Sequence, residues 1–582
     1  MPRGGALASV AALALALALL PAPSARAQSA ATRAFPFDSV SLARRARAAQ
    51  ARFEAFRRSH LYRDLADPGG RCDVRVGRFC YWYDPPFDPP PPEDEAVGPA
   101  RDRLLRDLAD LARALPGDDW IAGQRVRYLV EAGRADSAVA VAAGCAGTPW
   151  WCEALDGFAR HAAGDEPGAD GAFARALAAM PETERCLWTD LSPLLDDADA
   201  DAYRALPCAA RDSANRRIWW LADPLYSRPG NEVRTEHYAR ETMALALEHA
   251  ETAHGIPWGP DLRELTVRYG WPTHWSRPFG RPGRIEDPPV LGHEPSPSFW
   301  LFPAPAMPAP WADPTGVRWD PGAERPPARY ALPYATGFAP IGRAQLARFL
   351  RRDTTLTVAA FDLRADSVFA GRPARVRVAV SRDADAVAAS GPVPGPRGVA
   401  VAASGWRPLV ASLEATGTDT TRVARLRVMA PPDPAGLAPP LSDLLLFAAG
   451  EVGAALPESL EAALAAALPS VTVPRGGKVG LYWEVYPAPE PGYPLEVGVR
   501  VVPDRSKSRA PYPLGRPECP AGGPAALTLR WREPPEPPRR GPGRSVVLDL
   551  GSLRSGRYVV VVEVLAGRER LGCTGREIRV ED

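Results

Sequence analysis

The residues best suited to chemistry lie between positions 217 and 275, where aromatic, acidic and basic side chains alternate densely. Aromatic walls around ionisable groups can shift pKa values and create a reactive pocket. The same composition also occurs in structural networks, in which arginine stacks on tryptophan and pairs with a carboxylate. We interpret the cluster as structural first, with ligand or partner binding and then catalysis as the alternatives. Its members are Asp223, Glu236, His237, Arg240, Trp258, Asp261, Arg263 and Arg268.

Signatures of common enzymes and metal sites are missing from the sequence. There is no Gly-x-Ser-x-Gly motif of a serine hydrolase. His293-Glu294 is followed by prolines instead of a second histidine one helical turn later. The acidic series 197–201 resembles the start of a calcium loop, but Ala202 replaces the glycine that the turn requires. We therefore predict no catalytic residue, no metal ion and no cofactor, and we expect His237 to be a packing residue.

The first residues predict a secretory signal. An apolar run covers residues 6–20, and Ala25-Arg26-Ala27 fits the small-x-small rule for cleavage. Residues 1–27 are therefore assigned as a signal peptide cleaved after Ala27. The apolar stretch 441–468 carries several acidic residues, which makes it a poor membrane span. We expect a mature chain without a transmembrane segment, located in the periplasm or secreted.

The charge balance argues against nucleic acid as a partner. The formal net charge is +1, and removal of Arg3 and Arg26 with the signal changes it to −1 (1 − 2). A chain so close to neutrality has no overall field to attract a polyanion. The predicted partner is instead a protein in the cell envelope. No oligomeric state follows from the sequence.

The chain has eight cysteines, an even number that suits disulfides in an oxidising compartment. Zinc is the alternative, but no pair has a two-residue gap and no histidine lies nearby at ligand spacing. Proximity along the chain suggests the pairing, so other connectivities stay open. The predicted pairs are Cys72 with Cys80, Cys145 with Cys152, Cys186 with Cys208, and Cys519 with Cys573.

The first part of the chain reads as mainly helical. Residues 28–96 contain a predicted helix at 39–63, a disulfide hairpin at 72–83 and a proline-rich linker. Residues 97–212 show helical spacing of leucines and form a predicted helical domain.

Part of this helical domain resembles tetratricopeptide repeats. In such repeats, small residues let two antiparallel helices approach each other and an aromatic residue fills the gap. The resemblance implies partner binding, and a plain helical spacer is the alternative. The matching positions are Gly157, Gly164, Ala169, Phe173, Ala176 and Pro181.

Residues 213–275 resemble the GWxTD domain, a bacterial domain of unsettled biochemical role. The resemblance rests on Trp258, Asp261 and the element Tyr269-Gly270-x-Pro272, while Pro257 and Pro260 replace the Gly and Thr of the motif. It implies a small α/β module but no specific reaction.

Within this region the residues predict a helix followed by a strand. Asn231 is a suitable N-cap for a helix that runs to His254, with Gly255 as its terminator. Alternation of Leu265, Val267 and Tyr269 predicts a strand.

The composition and the hydrophobic pattern of the sequence change in the second half of the chain. Residues 276–345 are rich in proline and aromatic residues and predict an ordered, mostly irregular connector, followed by a short helix at 341–352. From residue 354 onward the period changes to two between turn signals, so residues 346–582 are predicted to form an antiparallel β-sandwich domain or domains. A helical insertion is predicted near residues 457–468.

The combined prediction is a multidomain α+β protein. It has an N-terminal tetratricopeptide-like helical region, a small α/β GWxTD-like module and a C-terminal antiparallel β-sandwich. The favoured function is a non-enzymatic extracytoplasmic interaction or scaffold protein. The alternative is a secreted or periplasmic hydrolase-like enzyme with a site near His237 and Asp261, at the junction of the helical and GWxTD-like parts. A third possibility, carbohydrate binding, requires Trp483 or Trp531 to face solvent.

Overall fold

A computed structural model describes most of the chain between residues 36 and 582. The described residues are 36–64, 73–83, 92–278, 290–293, 327–330, 332, 334–335, 337–370, 372–418, 422–430, 440–450, 455–486, 494–505, 512–515, 524–533, 542–567 and 569–582. The predicted signal peptide and the aromatic run at 299–303 lie outside these residues.

Helices dominate the first half of the described chain. They are α1 Pro36–Ser59, α2 Val97–Ala114, α3 Asp119–Glu131, α4 Ala135–Ala143, α5 Pro149–Ala162, α6 Glu166–Ala179, α7 Glu182–Trp188, α8 Asp197–Arg204, α9 Cys208–Ala222, α10 Glu232–Glu248 and α11 Pro260–Tyr269, with α12 Leu460–Ala465 far along the chain. The predicted helices at 39–63 and across 97–212 are confirmed, although α1 ends four residues early (63 − 59).

Strands dominate the second half. They are β1 Tyr62–Asp64, β2 Val74–Val76, β3 Phe79–Tyr81, β4 His274–Pro278, β5 Leu291–His293, β6 Gly337–Pro340, β7 Ala344–Arg351, β8 Thr354–Asp362, β9 Ala374–Asp383, β10 Ala386–Ala389, β11 Val393–Pro394, β12 Arg397–Ser404, β13 Val410–Gly417, β14 Arg422–Met429, β15 Leu445–Ala448, β16 Thr472–Pro474, β17 Lys478–Glu484, β18 Leu495–Pro503, β19 Leu527–Glu533, β20 Gly543–Asp549, β21 Gly556–Ala566 and β22 Glu569–Glu581. The predicted α+β class, helical first and largely antiparallel β afterwards, is confirmed in this form.

The helix starts follow from side-chain capping. Asp118, Asp165, Asp196 and Asn231 each accept a hydrogen bond from a backbone N–H in the first turn of α3, α6, α8 and α10, respectively. A cap of this kind satisfies one of the amides that a helix leaves unpaired at its start. The predicted cap at Asn231 is confirmed.

The pair α5 and α6 packs closely through one glycine and one aromatic ring. A Cβ atom placed on Gly157 would lie 2.8 Å from the ring of Phe173. Ala169 and Ala176 of α6 have no exposed surface (0%). This is the small-against-large packing expected from the sequence, while the repeat family itself stays a prediction.

The helix α10 is shorter than predicted. It ends at Glu248 with His249 as its C-cap, so it does not reach His254, and Gly255 does not terminate it. The Gln50 side chain donates to the Glu251 carbonyl at 2.7 Å and accepts from the Glu251 N–H at 3.1 Å. This contact from α1 satisfies backbone groups that the next helical turn would otherwise have used.

The strand predicted around residues 265–269 is wrong, because this segment is the helix α11. Pro260 occupies the first turn, where its missing N–H costs nothing. Leu262, Leu265 and Tyr269 are buried at helical spacing, and Gly270 ends the helix with a φ of +92°. The alternation of apolar residues is also compatible with the helical period, which decides the structure here.

The helix predicted at 341–352 is also wrong, because residues 344–351 form the strand β7. β7 pairs with β8 along its whole length. Its opposite edge is occupied too: the N–H of Leu346 donates to the Pro513 carbonyl at 2.8 Å, and the N–H of Arg348 donates to Asp443 at 2.8 Å. Pairing on both edges overrides the helical propensity of the Ala-, Leu- and Arg-rich segment.

The strands from β6 onward form two pairs of facing sheets. In the first pair, the sheet β10-β9-β13-β14-β6 packs on the sheet β12-β8-β7 through Val378, Leu413 and Phe361. In the second pair, the sheet β15-β17-β20 packs on the sheet β16-β22-β21-β18-β19 through Leu481 and Val562. The strands predicted from residue 354 onward are confirmed.

Two further expectations concern this region. The predicted insertion at 457–468 is a helix, α12, capped by Ser459 and shorter than expected. Trp483 is completely buried (0%), and Trp531 is half-buried with its ring 6.4 Å from that of Trp483. A sugar therefore cannot stack on Trp483.

The predicted connector is described only in part. β4 pairs with β1 in parallel and with β5 in antiparallel fashion, and β6 pairs in parallel with β14. Tyr330 is buried (1%) among residues of the helical half. The described parts of the connector therefore pack on the helical half and on the first pair of sheets.

Two of the predicted disulfides are present, Cys145–Cys152 and Cys186–Cys208, with Cα atoms 5.6 and 5.8 Å apart. Cys80 and Cys573 are also disulfide-bonded, while their predicted partners Cys72 and Cys519 lie outside the described residues. In the part of the chain that can be described, no helix is both long and apolar enough to span a bilayer.

Replacing Gly157 by Ala should lower the free energy of unfolding by about 1–2 kcal/mol, because the new methyl group must displace a buried ring. The matched control is Gly171→Ala in α6, where the nearest atom is the flexible end of Arg175 at 3.5 Å. That change should be neutral or stabilise the protein by up to about 1 kcal/mol. Urea denaturation measures both, and equal effects at the two glycines would contradict the packing.

Candidate functional site

The helix α10 carries most of the candidate cluster and is buried on nearly all sides. Its buried residues include polar ones such as Glu232, Thr235, His237, Arg240 and Glu241. α10 packs against α5, α6 and α11, so each of these polar groups needs a partner inside the protein.

The centre of this region is His161 on α5, which lies between two carboxylates. Its Nε2 is 2.7 Å from Glu236 Oε2 of α10. Its Nδ1 is 3.3 Å from Glu166 Oε2 and 3.0 Å from the Thr235 hydroxyl. Both ring nitrogens thus face acceptors, as in a protonated imidazole.

The electrostatics agree with this geometry. Burial lowers the pKa of His161, but its hydrogen bonds to Glu166 and Glu236 outweigh burial and raise the pKa to about 10. Burial raises the pKa of Glu236, but the charges of Arg240 and His161 outweigh it and lower the pKa to about 2. At neutral pH His161 is therefore a cation, and it cannot accept a proton as a general base.

Arg240 extends this chain of charges towards the connector. Its Nε donates to Glu236 Oε1 at 2.7 Å, and its Nη1 donates to the carbonyl of Arg268 at 3.0 Å. The guanidinium also lies over the ring of Tyr330, 4.2 Å from its centroid. The ion pair therefore joins α5, α10, α11 and the connector.

His237 is next to Glu236 in sequence but belongs to a different environment. It has no exposed surface (0%), and its Nε2 lies 3.2 Å from the Trp188 carbonyl. Burial lowers its pKa to about 4. The ring packs 5.2 Å from that of Trp219. This neutral, enclosed imidazole has the position of a packing residue.

Asp261 lies in the first turn of α11 and binds the hairpin formed by β2 and β3. The Arg78 guanidinium donates to both of its carboxylate oxygens, at 2.6 and 2.8 Å. These hydrogen bonds lower the pKa of Asp261 to about 2. A Cβ on Gly77 would lie 2.5 Å from Asp261, and φ there is +52°, so glycine lets the hairpin approach. The neighbouring Trp258 is half-buried beside this contact.

Arg263 and Arg268 pair separately. Arg263 donates to Glu241 of α10, whose pKa is raised by burial to about 7. Arg268 donates to Glu264 at 2.8 Å and to the Pro327 carbonyl of the connector at 2.7 Å.

Asp223 lies at the junction with the first pair of sheets. Burial raises its pKa well above the usual range. Its backbone carbonyl accepts hydrogen bonds from Arg425 at 3.2 Å and Arg427 at 2.7 Å, both on β14. Glu414 on β13 accepts from the N–H groups of Tyr226 and Ser227 at 2.9 Å each. The loop after α9 is thus held by charged side chains of the β region.

The structure therefore divides the candidate cluster among separate ion pairs and does not bring it into one cleft. Glu236 and Arg240 share a network, while Asp223, His237 and Asp261 each have other partners. Sequence reasoning missed His161, which lies 75 positions before Glu236. An isolated histidine at such a distance carries no local signal of pairing.

A concavity lies apart from this cluster, where the end of α1 and β1 meet β4 and the start of α2. It encloses about 220 Å³. Tyr62 at its rim is 49% exposed, and Trp275 forms part of the wall. The lining residues are Arg57, His60, Leu61, Tyr62, Pro92, Glu93, Asp94, Val97, Thr273, His274 and Trp275. Across the described residues, no group of three or more His, Cys, Asp or Glu side chains is placed to hold a metal ion.

Comparison with known proteins yields no assignment. No protein family matches the sequence, and no curated protein resembles it significantly. Among solved structures, a crystal structure of red sea bream transglutaminase aligns over 42% of this chain and 32% of its own, at 11% identity and a TM-score of 0.13. The aligned part is about a third of that protein's length, and a TM-score of this size does not indicate a shared fold.

Replacing His161 by Gln should lower the free energy of unfolding by about 3–5 kcal/mol near pH 6, because buried carboxylates lose their cation. The pKa of His161 is about 10 in the folded protein and 6.5 in its ordinary state. Its stabilisation is therefore complete below pH 6.5 and disappears as the pH rises to about 10. The difference between the two proteins should shrink across this interval in denaturation curves.

The control for this measurement is His249→Gln, since His249 is exposed. It should change the free energy of unfolding by less than about 0.5 kcal/mol at every pH. A His161→Gln deficit that stays constant from pH 6.5 to 10 would show that His161 is not a buried cation.

Replacing Arg427 by Met should cost about 3–5 kcal/mol, because Glu414 and several carbonyls lose a buried cation. The side chains of Arg427 and Glu414 have no exposed surface (0%). The control Arg382→Met removes an arginine that is 51% exposed and should cost under about 0.5 kcal/mol. Calorimetry compares the two, and equal melting curves would contradict the described junction.

Proposed function

We propose that this protein is a non-enzymatic scaffold outside the cytoplasm that binds a protein partner in the cell envelope. The observation that supports this most directly is the pairing of the candidate cluster. His161 is locked as a cation and His237 as a neutral, enclosed ring, with pKa values of about 10 and 4. Neither value is near neutrality, where a general acid or base works best.

The concavity around Tyr62 is our candidate for partner binding. Small-molecule sites usually enclose about 300–1,000 Å³, so 220 Å³ is better matched to one side chain of a partner. Tyr62 offers a large, half-exposed ring, and tyrosine is enriched at protein interfaces. The facing sheets of the second half, as β-sandwich modules, would add further rigid surface for a partner.

Two further assignments belong to this proposal. We infer that residues 213–275 form a GWxTD-like module, supported by Trp258, Asp261 and Tyr269-Gly270-x-Pro272. We also infer that the helix pair α5 and α6 is tetratricopeptide-like. The disulfides Cys145–Cys152 and Cys186–Cys208 suit an oxidising location outside the cytoplasm.

Cross-linked affinity capture from an envelope fraction tests the proposal. The chain should recover one stoichiometric partner, and Tyr62→Ser should lose that partner at least about tenfold while its melting temperature is unchanged. The matched control is Leu187→Ser, which removes another exposed large side chain (62%) and should retain the partner. Clean recovery of the chain alone would contradict a scaffold. Equal recovery by both variants would place the partner elsewhere on the surface.

A further inference from the structure

β12 is an edge strand with little of the usual protection against pairing. Eight residues long, it reads Arg-Gly-Val-Ala-Val-Ala-Ala-Ser, so Arg397 is its one charged residue and it has no proline. It pairs with β8 on one side and is the outer strand of its sheet. Exposed edges of this kind offer unpaired backbone groups to another chain.

Several other edges of the sheets are protected. β6 and β16 are short and end in a proline. β19 carries Arg530 and Arg532, which are 62% and 82% exposed. β7 is covered by Asp443 and Pro513. These are the usual means by which proteins prevent edge pairing. β12 is longer than β6 and β16, and its one charged residue, Arg397, lies at its first position.

The strand register shows which backbone groups of β12 point outward. On β7, the N–H of Leu346 donates to the Pro513 carbonyl, so it points away from β8. Successive residues of a strand direct their backbone groups to opposite edges. Gln345 therefore faces β8, where it lies opposite Ala360. The even-numbered residues of β8 thus bond to β7, and its odd-numbered residues bond to β12.

The same alternation continues across β8 to β12. Ala359 directs its backbone groups towards β12, where it pairs with Ala400. The N–H of Leu363 donates to the Pro396 carbonyl at 2.6 Å, which fits this alternation at the end of the strand. The even-numbered residues of β12 therefore bond to β8. The backbone groups of the odd-numbered residues, from 397 to 403, point outward, and within the described chain they have no hydrogen-bond partner.

The side chains beside this edge are apolar and exposed. Val401 is 38% exposed, and Val387 on β10, which lies close to β12, is 42% exposed. The side chains of Ala400 and Ala402 point the other way, into the core (1% each). The edge thus combines free backbone groups with an apolar margin.

We propose that two copies of this chain associate through β12, antiparallel about a twofold axis at Ala400. In this register Val399 of one copy lies opposite Val401 of the other, and Arg397 lies opposite Ala403. All four positions have outward backbone groups, so each N–H meets a C=O. A twofold axis makes the contact closed, which limits association to a pair.

The single charge on β12 is compatible with a second copy of the same strand as the occupant. The antiparallel register separates the two Arg397 side chains, which an in-register parallel pairing would place side by side. The contact needs no residue of the partner-binding concavity, so it is independent of the proposed function.

Analytical ultracentrifugation of the chain from Gln28 onward tests this association. The unmodified chain should form a concentration-dependent dimer, and Val401→Lys should raise its dissociation constant at least about tenfold without lowering the melting temperature. Val401→Pro, which removes one outward N–H and none that bonds to β8, should act in the same direction. The control Leu187→Lys places the same charge on an exposed position of α7 and should leave the dimer unchanged.

Amide hydrogen exchange tests the register. The N–H groups of Val399, Val401 and Ala403 should exchange slowly at concentrations that give dimer and rapidly after dilution, while those of Ala400 and Ala402 stay slow throughout. A chain that stays monomeric at every concentration would overturn the proposal. A monomer that pairs only with a strand of a different protein would overturn it as well. A dimer that survives both Val401 variants, or rapid exchange at Val401 within the dimer, would also overturn it.

Discussion

The buried charge series from Glu166 through His161 and Glu236 to Arg240 is the constraint on which the helical half depends. A charge removed from water is tolerated only when an opposite charge and hydrogen bonds replace the solvent. α10 is enclosed by its neighbours, so its charged residues oblige α5, α11 and the connector to supply partners at fixed positions. The apolar core around Tyr238 and Met243 could accept several arrangements of helices, whereas the paired charges accept far fewer.

Buried charged side chains also join the two halves of the chain. Arg427 and Glu414 have no exposed side-chain surface (0%) and bind backbone groups of the loop after α9. Trp220 adds a hydrogen bond from its indole N–H to Ser381 at 2.7 Å. Because these contacts use backbone carbonyls and amides, they depend on the path of the loop more than on its side chains. The orientation of the halves is thus set by buried polar contacts together with apolar packing.

Local patterns predicted much of the fold and little of the site. The cap at Asn231 and the strands after residue 354 follow from short-range rules and are present. The prediction of a strand at 265–269 was wrong because a short apolar alternation fits both a strand and a helix. The prediction of a helix over 344–351 was wrong because pairing on both edges of the segment overrode its helical propensity. His161 could not have been assigned a partner, since nothing local relates it to a glutamate on another helix.

A reactive group and a structural ion pair make opposite demands on the same residue types. A general base must keep a lone pair free near neutral pH, which requires a partner weak enough to release the proton. His161 has two carboxylates and a hydroxyl around it, so its proton is held too strongly for that exchange. His237 has the opposite condition, because enclosure without a carboxylate makes protonation unfavourable. His161 and His237 are therefore fixed in opposite charge states, the first as a cation and the second as a neutral ring.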